Sequence, residues 1–136
     1  RAEYVNAPVE ILDRALRGEM VISPQGELRQ VPDMIRFFDG AASFPWRSQA
    51  AWFADQMAAR HGFDRSLSLA AAKAICRTDL YRLNLRSAGA DLPGASEKLE
   101  GSLLHPTAVA SEQGEMILTP DVFFDGQIFD SGQKFG

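Results

Sequence analysis

Apolar positions along the first third of the chain recur at two different spacings. Val9, Leu12 and Leu16 fall three to four residues apart behind Asn6 and Pro8 and stop at Gly18, the pattern of a short amphipathic helix over residues 7–17, capped by Asn6 with Pro8 in its first turn. Met20-Val21-Ile22-Ser23 and Glu27-Leu28-Arg29-Gln30 flank Pro24-Gln25-Gly26, a turn signal that predicts a small hairpin. The unbroken run Met34-Ile35-Arg36-Phe37-Phe38, bounded by Pro32 and by Asp39-Gly40, predicts a buried strand.

Beyond Phe44-Pro45 the period becomes helical again as far as His61, with Gly62 as the stop. Ala50, Phe53, Ala54, Met57 and Ala58 form the stripe expected to face the core, with Trp52 and Gln56 on its flank. A third helix is predicted from Ser66 to Cys76 with serine caps, and a fourth from Asp79 to Arg86, capped by Thr78 and ending at Ala88-Gly89. From Ala90 onward glycine and proline recur without a period, which predicts an irregular, surface-following tail with a short extended pair around Met116-Ile117-Leu118 and Val122-Phe123-Phe124. Within it Asp125-Gly126 reads as a turn, with Phe123, Phe124, Ile128 and Phe129 anchoring the tail to the body. The expected layout is one segment, a helical body with a small hairpin over 1–89 and an anchoring tail over 90–136.

Composition narrows the function classes. With 46% apolar and 24% charged residues in 136, the chain has the make-up of a globular domain, and no window approaches the roughly 18 apolar residues of a membrane span. A net charge of −4 argues against a nucleic-acid surface and gives no general attraction for small anions, so an anion site needs local donors. The lone Cys76 excludes an intrachain disulfide and reads as a buried structural thiol. The opening Arg1-Ala2-Glu3-Tyr4 reads as the interior of a longer protein.

Candidate chemistry is sparse. His61 and His105 have no second ligand at metal spacing, and Asp121, Asp125 and Asp130 do not match a calcium loop, so no metal or other cofactor is expected. Neither a nucleophile elbow nor a phosphate-binding glycine loop is present, and the expectation is a protein that is not an enzyme. Trp46, Arg47 and Trp52 are the weak ligand-binding candidates: indole and guanidinium N–H groups suit a planar anion, and a helix start adds backbone N–H groups. The plainer account makes the indoles core volume and Arg47 a partner for a carbonyl elsewhere.

Three stretches together carry a resemblance. They are Phe44-Pro45-Trp46-Arg47-Ser48-Gln49-Ala50-Ala51-Trp52-Phe53, then Arg77-Thr78-Asp79-Leu80-Tyr81, then Phe123-Phe124-Asp125-Gly126-Gln127-Ile128-Phe129-Asp130. In this order the chain resembles the C-terminal part of bacterial solute-binding proteins of ABC importers for nitrate, bicarbonate and sulfonates, most closely the nitrate and bicarbonate branch. Gln49 stands where that family usually has histidine, and Arg60-His61-Gly62 where it often has Arg-Trp-Gly.

The resemblance implies a two-lobed α/β fold of the type II periplasmic-binding-protein kind, of which this piece is mainly helical with a few short strands. It implies an oxyanion, most simply nitrate or nitrite, held in the cleft between lobes by groups that mostly precede this segment, and presented to an ABC permease. The implied place is the periplasm or the outer side of the inner membrane. Two alternatives share the fold: a cytoplasmic nitrate sensor that holds an RNA-binding antiterminator regulator, and a regulatory domain fused to a transporter ATPase. An enzyme of thiamine-precursor synthesis is a distant third. The partners implied are a small inorganic anion (nitrate, nitrite or bicarbonate) and a permease or regulatory protein, with no direct contact to nucleic acid.

Overall fold

A computed structural model describes residues 3–32 and 34–133. The chain divides into two compact units, Arg1–Phe37 and Phe38–Gly136.

In the first unit, helix α1 spans Val9–Leu16. Pro8 occupies the capping position outside the helix, its carbonyl accepting from the Ile11 and Leu12 amides at 3.1 and 3.3 Å, so the Asn6 cap and the first-turn Pro8 predicted from sequence are both displaced. No residue of α1 is buried, and Val9 and Leu16 lie open. Gly18 ends the helix at φ +70°, where a Cβ would lie 2.3 Å from the Val31 carbonyl oxygen. Only glycine permits that approach, which lets the Val31 amide reach the Gly18 carbonyl at 2.7 Å. Strands β1 (Glu19–Val21) and β2 (Leu28–Gln30) then pair antiparallel with Met20 opposite Arg29, as the turn signal predicts.

The buried strand expected over Met34–Phe38 is not formed. Met34, Ile35, Phe37 and Phe38 are exposed in bends, and Asp33 lies outside the described residues. An apolar run has no strand of its own to offer without a ladder partner, and periodicity alone does not supply one.

In the second unit a 3₁₀ turn at Asp39–Ala41 precedes α2, Arg47–His61, which closes on Gly62 at φ +70° with its amide on the Ala58 carbonyl at 2.8 Å. The buried face of α2 is Ser48, Ala51 and Ala58; of the predicted stripe only Ala58 is buried, while Ala50 and Ala54 are half-buried and the face is turned toward Ser48 and Ala51. Phe53 is 65% exposed and Met57 is open, whereas α3 packs against α2. The buried face is the one with the smallest side chains, which let a neighbouring backbone approach.

Helix α3 runs Arg65–Ile75 and starts one residue earlier than predicted. Its cap is Asp64, whose Oδ1 accepts from the Leu67 amide at 2.8 Å, rather than a serine; the Ser68 hydroxyl donates back to the Asp64 carbonyl at 2.7 Å. Helix α4, Thr78–Leu85, takes Thr78 as its first residue and not as its cap. Thr78 is 2% exposed, and its hydroxyl bonds the Ser96 hydroxyl at 3.0 Å, so tertiary pairing displaces the local capping role.

The segment from Ala90 is not surface-following. Ala90, Leu92, Met116 and Leu118 are buried, and Met116 and Leu118 join Ala41, Phe44 and Trp46 in the core, with Tyr81, Leu103 and Val109 packed on it. Its strands are β3 (Thr107–Ser111) and β4 (Gly114–Leu118), antiparallel with Val109 opposite Met116. The predicted pairing of Met116–Leu118 with Val122–Phe124 is therefore replaced by pairing with the preceding residues. A tight turn at Glu112-Gln113 places β4 beside β3, and Pro120 has no N–H to extend the ladder.

Phe44 meets Trp46 and Tyr81 edge-on at 4.9 and 5.3 Å between ring centres. Arg82 lies over the Phe44 ring and donates to the Pro93 carbonyl from Nη2 at 2.7 Å, to the Ala95 carbonyl at 2.8 Å and to the Ser96 hydroxyl at 3.1 Å. A fixed guanidinium fork thus holds the 93–96 loop to α4. Among the described residues no helix is long and apolar enough to cross a membrane.

Candidate functional site

The Pro45 turn aims the first residues of α2 at the loop 96–101. The Arg47 amide donates to the Ser96 carbonyl at 3.0 Å, satisfying one of the N–H groups a helix start leaves open. The next residue, Ser48, is fully buried and sits at the centre of a charged network. Its hydroxyl donates to Glu100 Oε1 at 2.6 Å and accepts from the Lys98 amide at 3.0 Å. Lys98 Nζ donates to Glu100 Oε2 at 2.6 Å and to Asp121 Oδ2, and lies 5.8 Å from the Trp46 ring centre. Asp121 Oδ1 accepts from the Leu103 amide at 2.9 Å.

The side chains of Lys98, Glu100 and Asp121 are 16%, 5% and 21% exposed, so these charges work on one another with little water between them. Burial alone would raise the Asp121 carboxyl. The Lys98 ammonium and the backbone amides on its oxygens overcome that and hold it below the ordinary carboxylate value. Two carboxylates around one ammonium leave the cluster with a surplus negative charge. A cavity of about 130 Å³ beside it, touched by Trp46, Gln49, Lys98, Thr119 and Asp121, is the wrong environment for an anion.

The three candidate residues do not converge on a common point. Trp46, 5% exposed, belongs to the core. Arg47 turns its Nε to the Cys76 carbonyl at 3.3 Å, the carbonyl-partner role anticipated for it. Trp52 stacks on Phe123 at 5.1 Å and 18° between planes.

The second motif is a fork closed on itself. Arg77 Nε and Nη2 donate to Asp79 Oδ1 and Oδ2 at 2.9 and 2.6 Å, and this pair of bonds holds the exposed Asp79 well below the usual carboxylate range and raises Arg77.

In the third motif Asp125 Oδ1 accepts from the Gln127 amide at 3.0 Å, and the Gly126 amide closes the turn on the Phe123 carbonyl at 2.9 Å. The anchor is divided. Phe123 lies on Trp52, and Phe129 exchanges backbone bonds with Glu100 at 2.9 and 3.0 Å, but Phe124 is fully exposed and Ile128 is open. Gly101 permits the docking, since a Cβ there would lie 2.6 Å from both the Gln127 carbonyl oxygen and the Phe123 ring.

A second cavity, of about 540 Å³, has Arg65, Ser66, Leu69, Lys73 and Ser131 on its walls. Lys73 donates to Glu97 Oε2 at 2.7 Å and to the Ser131 carbonyl at 2.9 Å, and Arg65 pairs with Asp55. Burial opposes ionisation of Glu97, and the bonds from Lys73 and the Ser131 hydroxyl prevail and lower it. Its cations are thus matched by carboxylates on the spot.

Asp121, Asp125 and Asp130 point to separate partners, Asp130 accepting from the Gly132 amide at 2.8 Å, and no cluster of three metal-ligating side chains occurs among the described residues. His61 stacks on Phe63, and Cys76 is half-buried. Ser48, Lys98, Glu100 and Arg82 are not among the residues that the sequence singles out as candidates. The only signal available was the pair of opposite charges in Lys98-Leu99-Glu100, inside a stretch without periodicity. No protein-family model, no curated protein and no solved structure matches the chain.

Proposed function

We propose that the chain is the C-terminal segment of a two-lobed solute-binding protein of an ABC importer for a small oxyanion, nitrate or nitrite, and that its own role there is structural and non-catalytic. The observation that carries this reading is the meeting of the three motif stretches in one packed unit. The start of α2 donates from Arg47 to the carbonyl of Cys76, immediately before the Arg77–Asp79 fork, and the closing aromatic stretch stacks on the same helix through Phe123 and Trp52. Stretches so far apart in sequence thus lie against one helix, at its start and at Trp52.

The electrostatics support the structural half of the proposal. Lys98 and Lys73 are each committed to carboxylates, and the Arg47 Nε to a carbonyl, so these three cations are engaged in holding the chain together. The anion's donors then belong to other parts of the receptor, which fits the cleft position that the resemblance implies.

Deleting the gene that encodes this segment tests the proposal in its natural host. Nitrate uptake at limiting nitrate should be lost and restored by the intact gene. Normal uptake with loss of nitrate-dependent gene expression would favour the cytoplasmic sensor instead, and a phenotype confined to transporter shut-off would favour the domain fused to an ATPase. Normal behaviour in all three respects would remove the proposal.

A further inference from the structure

Between α2 and the closing aromatic stretch lies a groove of about 580 Å³ that the packing described above leaves open. Its walls are Trp52, Gln56, Phe123, Phe124, Ile128 and Phe129. Phe124 is fully exposed and Ile128 more than half exposed, although the Asp125-Gly126 turn between them is hydrogen-bonded and defined. Two large apolar side chains presented on a fixed turn, beside an aromatic pair already stacked, have the character of an anchoring pocket, because burying them costs little further ordering.

The rim gives the sign of the occupant. Asp55 and Asp125 line the groove and no lysine or arginine does. Asp55 is balanced by Arg65, whereas Asp125 and the neighbouring Asp130 meet backbone amides and have no cationic partner among the described residues. The adjoining cavity shares Trp52 and Phe123 and adds Glu100 and Asp121, whose cluster with Lys98 is itself left negative. An apolar floor under an acidic rim repels an anionic membrane and, in a chain of net charge −4, a second copy of itself.

We propose that this groove docks a short segment of a partner protein that carries one or two large apolar side chains flanked by lysine or arginine. The apolar side chains enter between Trp52 and Phe124, and the cations face Asp125 and Asp130. The site is independent of any anion the receptor carries, and the partner's basic residues set the encounter and the salt dependence while the aromatic contact sets the lifetime.

The test uses the full chain and a short dye-labelled peptide in which leucine and phenylalanine alternate with lysine, with a second peptide carrying glutamate for every lysine. Anisotropy should rise and saturate for the lysine peptide, at least about tenfold tighter than for its glutamate counterpart, and weaken as salt is raised. Phe124→Ser should abolish the saturation with the circular dichroism spectrum unchanged, since Phe124 makes no core contact, and Asp125→Asn should reduce it. Equal binding of both peptides, absence of saturation, or undiminished binding by Phe124→Ser would overturn the proposal. So would binding of anionic vesicles in place of the peptide, or a sedimentation profile in which the chain dimerises and Phe124→Ser returns it to monomer.

Discussion

Replacing Lys98 by methionine isolates the network that joins α2, the 96–101 loop and Asp121. Methionine keeps most of the stem volume, so the change is chiefly the loss of one ammonium that serves two carboxylates. Removing one partner of a buried ion pair costs about 3–5 kcal/mol. The lower end, about 3 kcal/mol, applies here, because Glu100 keeps the Ser48 hydroxyl and Asp121 keeps the Leu103 amide and some solvent. An exposed pair serves as the control: Arg17 and Asp13 are 66% and 52% exposed, and Arg17→Met should cost no more than about 0.5 kcal/mol.

Urea denaturation reads the difference. With a slope of about 1–3 kcal/mol per molar for a chain this small, Lys98→Met should move the midpoint down by about 1–3 M, and the control almost not at all. The pH dependence adds a sign. In the native chain Asp121 and Glu97 have lowered carboxyl values, so they contribute stability that is full above the ordinary carboxylate range and is lost as pH falls through the lowered folded values. The native midpoint should therefore stay level from neutral pH to about 5 and drop below about 4. In Lys98→Met, Asp121 is left buried without its cation and its carboxyl value rises, so part of the deficit should be recovered on mild acidification. Equal midpoint shifts for Lys98→Met and Arg17→Met would refute the claim that this network holds the unit together.

Other substitutions probe the packing. Gly101→Ala combines a φ of +82° with a Cβ 2.6 Å from a backbone carbonyl and should cost about 2–4 kcal/mol by thermal or chemical denaturation; an ordinary alanine-like tolerance would place the 127 carbonyl elsewhere. Phe53→Ala should cost below about 1 kcal/mol because the ring is mostly in solvent, whereas Ala51→Leu, at a position with no exposure, should cost about 1–3 kcal/mol through overpacking; the reverse order would restore the stripe predicted from sequence. Arg82→Lys should lose about 2 kcal/mol despite the conserved charge, since a single Nζ cannot occupy the separate Nη1 and Nη2 positions from which the guanidinium reaches the Ser96 hydroxyl and the Pro93 and Ala95 carbonyls.

Local signals were legible wherever one stretch of sequence decides the outcome. The 24–26 turn, the Gly62 stop and the Asp125-Gly126 turn each need only a few neighbouring residues, and each forms. The signals failed where a distant partner arbitrates. Thr78 is a good local cap that Ser96 draws away, and the Met34–Phe38 run is a good strand with no neighbour to pair.

The α2 stripe, of which only Ala58 is buried, failed for a further reason. Hydrophobic patterning weighs Phe53 and Met57 above Ser48 and Ala51, yet close helix contact and a buried carboxylate favour the small and hydroxylated face. Glu100 and Lys98 were invisible as core residues because a charge reads as surface until its partners, fifty residues away at Ser48 and beyond, are known to meet it.

On the proposed reading this segment completes an oxyanion receptor without holding the anion itself. The most direct measurement is a calorimetric titration of nitrate into the protein made from the whole gene and, side by side, into the 136-residue chain. Binding to the whole protein should saturate and persist in its Arg47→Ala variant, with no heat beyond dilution from the chain alone. Nitrate binding by the isolated chain that Arg47→Ala or Trp52→Ala removes, or no binding by the whole protein, would contradict it.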